Sequence, residues 1–344
     1  PVARMQSTVG ASPVCRAIPR PKKNGQKKPA FFRFLLLILQ NGILLLGFAH
    51  TNRKKGGLWM KPLCILLTLL MAICLLFPPT VQAAAAPAYG LGQTGGVSFA
   101  QLSQAEHILG NHTIFSSSFT DADPFPFSFV RQCLWADKTP LLTLRPSFDG
   151  QFPSAARLRS FAQSAASFSG AIYLNLFPYD PMLCQNPLIY QANWSEAAAI
   201  FRQYAPNVRL IWSLPADDAA YAFSFCPPQN RFDFLGISCF STPEEALPRL
   251  TFTLRLLSAQ TSLPIAITGL GISSFDTSTH RYCQDAVALA LPNVYHALRS
   301  QSLAFVVYQD QQNALAPPPG VQAATYALSQ DTLLANAYRA ARSH

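Results

Sequence analysis

The stretch Val208-Arg209-Leu210-Ile211-Trp212-Ser213-Leu214 decides the fold, because it is an apolar run of strand-forming residues that begins a repeating pattern. Two similar runs follow at 232–238 and 264–268, and a helical pattern at 244–258 separates them. Continuous apolar runs are typical of parallel strands that are covered on both faces. Thr242-Pro243 before the helical run is typical of a helix start. The alternation predicts a parallel sheet with helices packed on it.

The same pattern continues on both sides of this stretch. Further strands are predicted at 113–119, 140–145, 171–177 and 303–308, a weaker Gly-rich strand at 88–92, and further helices at 155–168 and 195–204. Eight strand–helix units in about 250 residues favour a closed barrel over an open sheet. We therefore predict an α/β fold, a single-domain (β/α)8 TIM barrel over residues 84–320, with a C-terminal helix at 321–344 packed on the barrel.

The distribution of charged residues along the chain distinguishes a basic leader from the rest of the sequence. The chain has 344 residues and a formal net charge of +10, but residues 1–61 hold 12 basic residues and no acidic one. The rest of the chain carries 14 basic and 16 acidic residues. It therefore offers no basic surface for phosphates, and we expect no nucleic-acid partner. Because half of all residues are hydrophobic, a disordered chain is excluded.

Residues 60–83 have the pattern of a secretory signal peptide. Lys61 is followed by the run 63–77, which is apolar except for one threonine, and small residues precede the Ala83/Ala84 bond. We expect cleavage there, a secreted or cell-envelope location, and no membrane span in the mature chain. Two interpretations of residues 1–59 stay open. They are either non-native sequence translated from upstream of a true start at Met60, or a basic and hydrophobic leader that anchors the chain.

Several segments together resemble one family, the family 26 glycoside hydrolases, which include β-mannanases. Segments 207–215, 226–238 and 263–268 are similar to the family's fifth, sixth and seventh strands, in that order. Gln104-Ala105-Glu106 is similar to its early helix, and Phe305-Val306-Val307-Tyr308 is similar to its eighth strand. The resemblance covers most of residues 88–312. It implies a barrel of the hydrolase type, with a polysaccharide or an oligosaccharide as the partner.

The resemblance also implies where catalytic residues belong. Family members are retaining hydrolases with an acid/base glutamate at the end of strand four and a nucleophilic glutamate at the end of strand seven, and the chemistry needs both. These positions match Tyr179 and Gly269 here, and Pro178 matches the family's preceding histidine. The glutamates after the leader all fall in helical patterns, at Glu106, Glu196, Glu244 and Glu245. We therefore expect a protein that has the fold without the activity, in a carbohydrate-associated or envelope role.

Two alternatives stay open. One is an active endo-β-mannanase-like or glucanase-like hydrolase with displaced carboxylates, for which Asp180 and Asp310 are the candidates. The other is a structural or interaction barrel whose cleft is vestigial. The candidates for lining a sugar-binding cleft are expected at the top face of the barrel and are Tyr179, Trp212, Asp217, Phe240 and Tyr308, with Tyr190 and Trp194 assigned to the loop after strand four. An open groove lined by aromatic residues favours sugar binding, and a filled groove favours the vestigial cleft.

The remaining reactive side chains predict little further chemistry. Five cysteines follow the leader, and Cys184 and Cys226 fall on loops at the same end of the barrel. They form the disulfide candidate, with buried apolar thiols as the alternative. The histidines are scattered without the spacing of metal ligands. We expect no metal and no cofactor, and we expect a monomer.

Overall fold

Eight parallel strands close into a barrel in the computed structural model, which describes residues 86–93, 95–146, 152–180, 186–311 and 324–343. The barrel strands are Ala88–Gly92 (β1), Ile114–Thr120 (β2), Thr139–Arg145 (β3), Ile172–Leu176 (β4), Val208–Pro215 (β5), Phe234–Ser241 (β6), Ile265–Ile272 (β7) and Leu303–Gln309 (β8). Each strand pairs with the next one in sequence, and β8 pairs with β1. The predicted (β/α)8 barrel is confirmed.

A helix follows each strand. The helices are Phe99–Leu109 (α1), Phe127–Trp135 (α2), Ala155–Ala166 (α3), Pro187–Tyr204 (α4), Ala219–Ala222 (α5), Pro243–Ser258 (α6), Gln284–Arg299 (α7) and Thr332–Ser343 (α8). A short antiparallel hairpin, Phe275–Asp276 with Arg281–Tyr282, lies between β7 and α7. Within the described ranges, no helix combines the length and the apolar composition that crossing a bilayer requires.

Helix α4 begins earlier than the sequence pattern predicts. The Asn186 side chain accepts hydrogen bonds from the backbone N–H groups of Leu188 and Ile189, and Pro187 occupies the first helical position, where its missing N–H costs nothing. The helix therefore starts eight residues before the predicted start. The assignment of Tyr190 and Trp194 to a loop is wrong, because both lie within α4 and are buried.

Strands β6 and β7 continue beyond their predicted ends. The prediction for β7 stops at Thr268, because glycines weaken an isolated strand. In the barrel, Gly269 and Gly271 pair in register with Ser238 and Phe240 of β6, so the neighbouring strand supplies the hydrogen bonds. The register shifts by one residue just before the Ser238–Gly269 pair, which is the mark of a bulge.

The core has two parts, inside the barrel and between the strands and helices. The cluster inside the barrel consists of Ile114, Leu141, Ile211, Ala266, Phe305 and Val307, with the partly buried rings of Tyr173 and Phe234 packed on it. A larger cluster fills the space between the strands and the helices. Because side chains alternate along a strand, residues next to the inner cluster point toward the helices.

Helix α8 is fastened to the barrel through its aromatic face. The buried Tyr338 ring lies 5.5 Å from the Tyr295 ring on α7 and 5.4 Å from the Tyr308 ring on β8, measured between centroids. The Arg299 guanidinium donates a hydrogen bond to the carbonyl oxygen of Ala341. These contacts link the last helix to both the preceding helix and the closing strand.

A buried polar cluster completes this attachment before the start of β2. Nε2 of His112 lies 2.9 Å from the Tyr338 hydroxyl and 2.8 Å from Nη1 of Arg342, which donates to it. The backbone N–H of His112 donates to Glu106, whose carboxylate also pairs with Lys138 at 2.7 Å. Burial, followed by repulsion from Arg342 and Lys138, lowers the pKa of His112 to about 2. The imidazole is therefore neutral and acts as an acceptor.

Candidate functional site at the barrel mouth

A ring of small and polar residues lies above the apolar cluster inside the barrel, toward the carboxyl ends of the strands. Its members are Gly92, Ser116, Thr143, Asn175, Ser213, Gly236, Thr268 and Gln309, one from each strand, and they are called the polar ring below. Each lies two residues beyond an inward-facing position, so each faces the barrel axis. Barrel interiors are usually filled by branched apolar residues, and active sites are built at this end. The polar ring therefore marks the candidate site.

Direct contacts join most of the polar ring. The Ser213 hydroxyl donates to Oδ1 of Asn175 at 2.8 Å, and Nε2 of Gln309 donates to the backbone oxygen of Thr268 at 3.3 Å. A Cβ added to Gly236 would lie 2.6 Å from Cβ of Ser213. One added to Gly92 would lie 3.1 Å from both polar atoms of the Gln309 amide. The glycines are therefore required by close packing around the ring.

Gly269, at the bulge near the end of β7, lies next to the polar ring. A Cβ added to Gly269 would lie 3.4 Å from Cζ of Phe240 and 3.6 Å from Cγ of Gln309, which are ordinary contact distances. The Phe240 ring itself is half-buried and packs edge-on against Tyr326, with centroids 5.2 Å apart. The position that the family resemblance assigns to the nucleophile thus carries no side chain and lies next to an aromatic ring.

The end of β4 is held by aromatic side chains of α4. Phe177 has a φ of 41°, which is uncommon for a residue other than glycine and costs about 1 kcal/mol or more. Its carbonyl oxygen accepts a 2.5 Å hydrogen bond from the Tyr190 hydroxyl, and Nε1 of Trp194 donates to the carbonyl oxygen of Leu176 at 2.7 Å. These two bonds fix the turn by which the chain leaves the barrel mouth.

Tyr179, the residue at the family's acid/base position, follows this turn. Its backbone N–H donates to the carbonyl oxygen of Ser213, and its ring packs against Phe225 with centroids 4.8 Å apart. The residue is only 5% exposed. Tyr179 therefore belongs to the apolar cluster between the strands and the helices.

One charged pair lies at the rim. Arg145 ends β3 and is exposed, and Asp180, next to Tyr179, is half-buried. Partial desolvation lowers the pKa of Arg145, and the Asp180 carboxylate opposes that shift. The two charges offset each other, so the rim has little local net charge from this pair.

Asp310, the second displaced-acid candidate, binds the backbone of its own chain. The residue is buried, and its Oδ1 accepts hydrogen bonds from the backbone N–H groups of Leu328 at 2.5 Å and Ser329 at 3.0 Å. This carboxylate anchors the segment that leads into α8. A structural role therefore accounts for an acid at this position.

Two expected cleft residues lie on the helix side of the strands, and a third lies in the turn after β5. Trp212 follows the inward-facing Ile211, is fully buried, and donates from Nε1 to the hydroxyl of Tyr190 on α4 at 2.9 Å. Tyr308 follows Val307, is fully buried, and stacks on α8 as described above. Asp217 is exposed in the turn after β5, near Cys239 on the outer side of β6. The expectation that Trp212 and Tyr308 line the mouth is corrected, because both face away from the barrel axis, and the assignment of Asp217 to the mouth stays a prediction.

The cysteines and the remaining acids add no further centre. Cys226 is a free thiol in this structure, and burial raises its pKa to about 12. Cys184 lies outside the described residues, so the disulfide with Cys226 stays a prediction. Within the part of the chain that the structure describes, no three acidic, histidine or cysteine residues are grouped as metal ligands.

The chemistry of the mouth follows from these side chains. The polar ring consists of hydroxyl and amide groups without charge, above an apolar cluster, and its side chains are all buried. All four glutamates after the leader lie in helices α1, α4 and α6, as predicted, and so lie outside the ring. The sequence pattern did not predict the ring, because alternation along a strand gives two faces and does not say which one points to the barrel axis.

Comparisons with known proteins agree with this architecture. No protein-family model matches the chain, and no curated protein matches it in sequence. A modular family 26 endo-β-1,4-mannanase from Cellulomonas fimi has a TM-score of 0.56 at 14% identity, covering 76% of this chain and 71% of that chain. A family 10 xylanase from Thermobacillus composti has a TM-score of 0.55 at 12% identity, covering 74% and 97%. A family 113 β-1,4-mannanase has a TM-score of 0.52 at 9% identity, covering 75% and 98%. At such identities the likeness shows a shared fold, the barrel of glycoside hydrolases of several families.

Proposed function

We propose that this protein binds a neutral oligosaccharide or polysaccharide at the barrel mouth without hydrolysing it. The observation that carries the proposal is the polar ring, a buried set of uncharged hydroxyl and amide groups at the end of the barrel where barrels of this type carry out their function. Sugars present hydroxyl groups that pair with such side chains. Phe240, half-buried beside the ring, adds an aromatic surface for the apolar face of a sugar.

The absence of hydrolysis is supported by the two positions that the family resemblance assigns to catalysis. Gly269 has no side chain, and Phe240 lies against it. Tyr179 is packed on Phe225. The hydrolase alternative requires Asp310 as one of its two acids, but Oδ1 of that carboxylate is bound by two backbone N–H groups. A retaining mechanism needs two free carboxyl groups about 5–5.5 Å apart.

A second candidate function is a structural or interaction barrel with a vestigial mouth. The burial of the polar ring favours it, because side chains that are 7% exposed or less leave little room for a sugar. The two candidates differ in one measurable property, which is affinity for a glycan.

The test is calorimetric titration of the purified full chain with manno-, xylo- and gluco-oligosaccharides, followed by reducing-sugar release from mannan, xylan and mixed glucans. We expect measurable binding to at least one neutral glycan and no release of reducing sugar. Turnover that is lost in Asp180→Asn would overturn the non-hydrolytic proposal. No binding to any of the glycans would favour the structural barrel.

We also propose that the protein acts as an exported monomer, secreted or in the cell envelope. The support is the signal-peptide pattern at 60–83. N-terminal sequencing of protein recovered outside the cytoplasm is expected to begin at Ala84. Recovery of an uncleaved chain from the cytoplasm alone would contradict export.

A further inference from the structure

We infer that a cavity between helices α6 and α7 binds a medium-chain fatty acid, whose aliphatic chain enters the cavity and whose carboxylate pairs with Arg255. The cavity has a volume of about 200 Å³ and is lined by residues of these two helices and of the turn that ends α7. It lies on the outside of the barrel. The inference therefore goes beyond the proposed function and does not depend on it.

The walls of the cavity are apolar where the two helices face each other. Leu250 and Leu254 line it from α6, and Val294 and Leu298 line it from α7. Each pair has a spacing of four residues, which places both members on one face of their helix. An engineered cavity of about 150 Å³ with such walls stays dry and holds benzene. A cavity of about 200 Å³ has room for an aliphatic chain of roughly six to eight carbon atoms.

One end of the cavity is polar. It is lined by Arg255, Ser300 and Gln301, which are all exposed. Arg255 follows the last apolar wall residue of α6, and the other two residues follow the last turn of α7. Neighbouring helices of a (β/α)8 barrel run in the same direction, so these polar residues lie at the same end of the helix pair. The cavity is thus apolar along the helices and polar where it meets the solvent.

The charge of Arg255 has no partner within the described part of the chain. No ion pair and no hydrogen bond joins its guanidinium to a described residue. Glu245, an acid on the same helix, pairs instead with Arg249 at 2.9 Å. An anion that reaches this end of the cavity would therefore meet an uncompensated cation.

The end of α7 does not use this charge either. The Ser300 hydroxyl donates to the carbonyl oxygen of Ala297 at 2.7 Å, and the backbone N–H of Gln301 donates to the carbonyl oxygen of Leu298 at 3.1 Å. Carbonyl oxygens in the last turn of a helix attract cations when they lack partners. Because the chain itself supplies these partners, Arg255 is not needed to cap the helix.

A cation beside an apolar cavity selects an anionic amphiphile. A guanidinium pairs with a carboxylate through two parallel hydrogen bonds, which gives both strength and orientation. The carboxylate would stay at the exposed end of the cavity, where desolvation costs little, while the chain leaves water. A fatty acid meets both requirements, whereas a cationic amphiphile of the same length would be repelled.

The experiment is a methyl NMR titration of the full chain with sodium octanoate. Octanol is the uncharged probe of the same chain length, and acetate is the carboxylate without a chain. We expect octanoate to shift the methyl signals of Leu250, Leu254, Val294 and Leu298 in a saturable way, and acetate to leave them unchanged. Hexanoate is expected to bind about tenfold more weakly than octanoate, because it buries two methylene groups fewer.

Two variants separate the roles of charge and space. Arg255→Gln is expected to weaken octanoate binding by about tenfold and to leave octanol binding unchanged, because only the charged head loses its partner. Arg281→Gln, the same change at an exposed position of the hairpin after β7, is the control and should alter neither. Ala297→Leu fills the cavity from α7 and is expected to abolish the binding of both probes.

Each contrary outcome has a separate meaning. Octanoate that produces no saturable shift at the wall methyl groups would overturn the inference. Equal octanoate affinity in the wild type and in Arg255→Gln would overturn the pairing with Arg255 and hence the ligand class. Unchanged binding in Ala297→Leu, or in Thr251→Leu on the α6 side if the first variant does not fold, would overturn the cavity as the site. None of these outcomes bears on glycan binding at the barrel mouth.

Discussion

Protonation of His112 is expected to destabilise the folded protein at mildly acidic pH. The imidazole is buried, and its Nε2 accepts a hydrogen bond from the Arg342 guanidinium. A proton on Nε2 would replace this acceptor by a donor that faces a cation. Burial and the charges of Arg342 and Lys138 hold the pKa of His112 at about 2, against an ordinary value of 6.5.

The magnitude follows from linkage between protonation and folding. Because the folded-state pKa is depressed, the unfolded chain binds the proton more tightly, and stability falls as pH drops below the unfolded value of 6.5. The contribution is fully present above that pH. Between about pH 7 and about pH 5.5 the expected loss of unfolding free energy is about 1.3 kcal/mol, and carboxylates with ordinary pKa values near 4 add little in this window.

The assay is urea unfolding of the wild type, His112→Gln and His296→Gln at these two pH values. His112→Gln is expected to be less stable at neutral pH but to lose most of the pH dependence, because the titrating group is gone. His296 is exposed on α7 and serves as the control whose removal leaves the wild-type slope. The same loss of stability on acidification in the wild type and in His112→Gln would refute the reasoning.

Two further predictions concern packing and anchoring. Gly236→Ala is expected to lower the unfolding free energy by about 1–3 kcal/mol, because the new methyl would lie 2.6 Å from Cβ of Ser213. Gly269→Ala is expected to change the unfolding free energy by less than about 1 kcal/mol, because its new methyl would have contacts of 3.4 Å and longer. Chemical denaturation measures both, and equal effects would contradict the packing argument. Asp310→Ala is expected to cost about 1–3 kcal/mol by leaving the N–H groups of Leu328 and Ser329 unpaired, with faster hydrogen exchange at these two amides. Unchanged exchange would show that the carboxylate does not anchor this segment.

Some of the sequence predictions depended on interactions that a linear pattern does not contain. The sequence pattern predicted no helix at 284–299, where α7 contains Pro292 and buries Val287, Leu291, Val294 and Leu298 at helical intervals. Proline removes one hydrogen bond from a helix, and packing of the apolar face outweighs that loss here. The early start of α4 has a local signal in the sequence, because Asn186-Pro187 is a cap residue followed by a proline at the first helical position.

The amino-acid sequence by itself determined the barrel, since apolar runs of strand length alternating with helical runs leave few other arrangements, and it determined that tyrosine and glycine stand at Tyr179 and Gly269. Only the tertiary structure decided which way the side chains face. Trp212 and Tyr308 turn toward the helices, and Gln309 turns inward, because alternation assigns faces only once each strand's register in the closed barrel is known. The bonds from Asp310 to the segment before α8 join residues far apart in sequence, so no local pattern could reveal them.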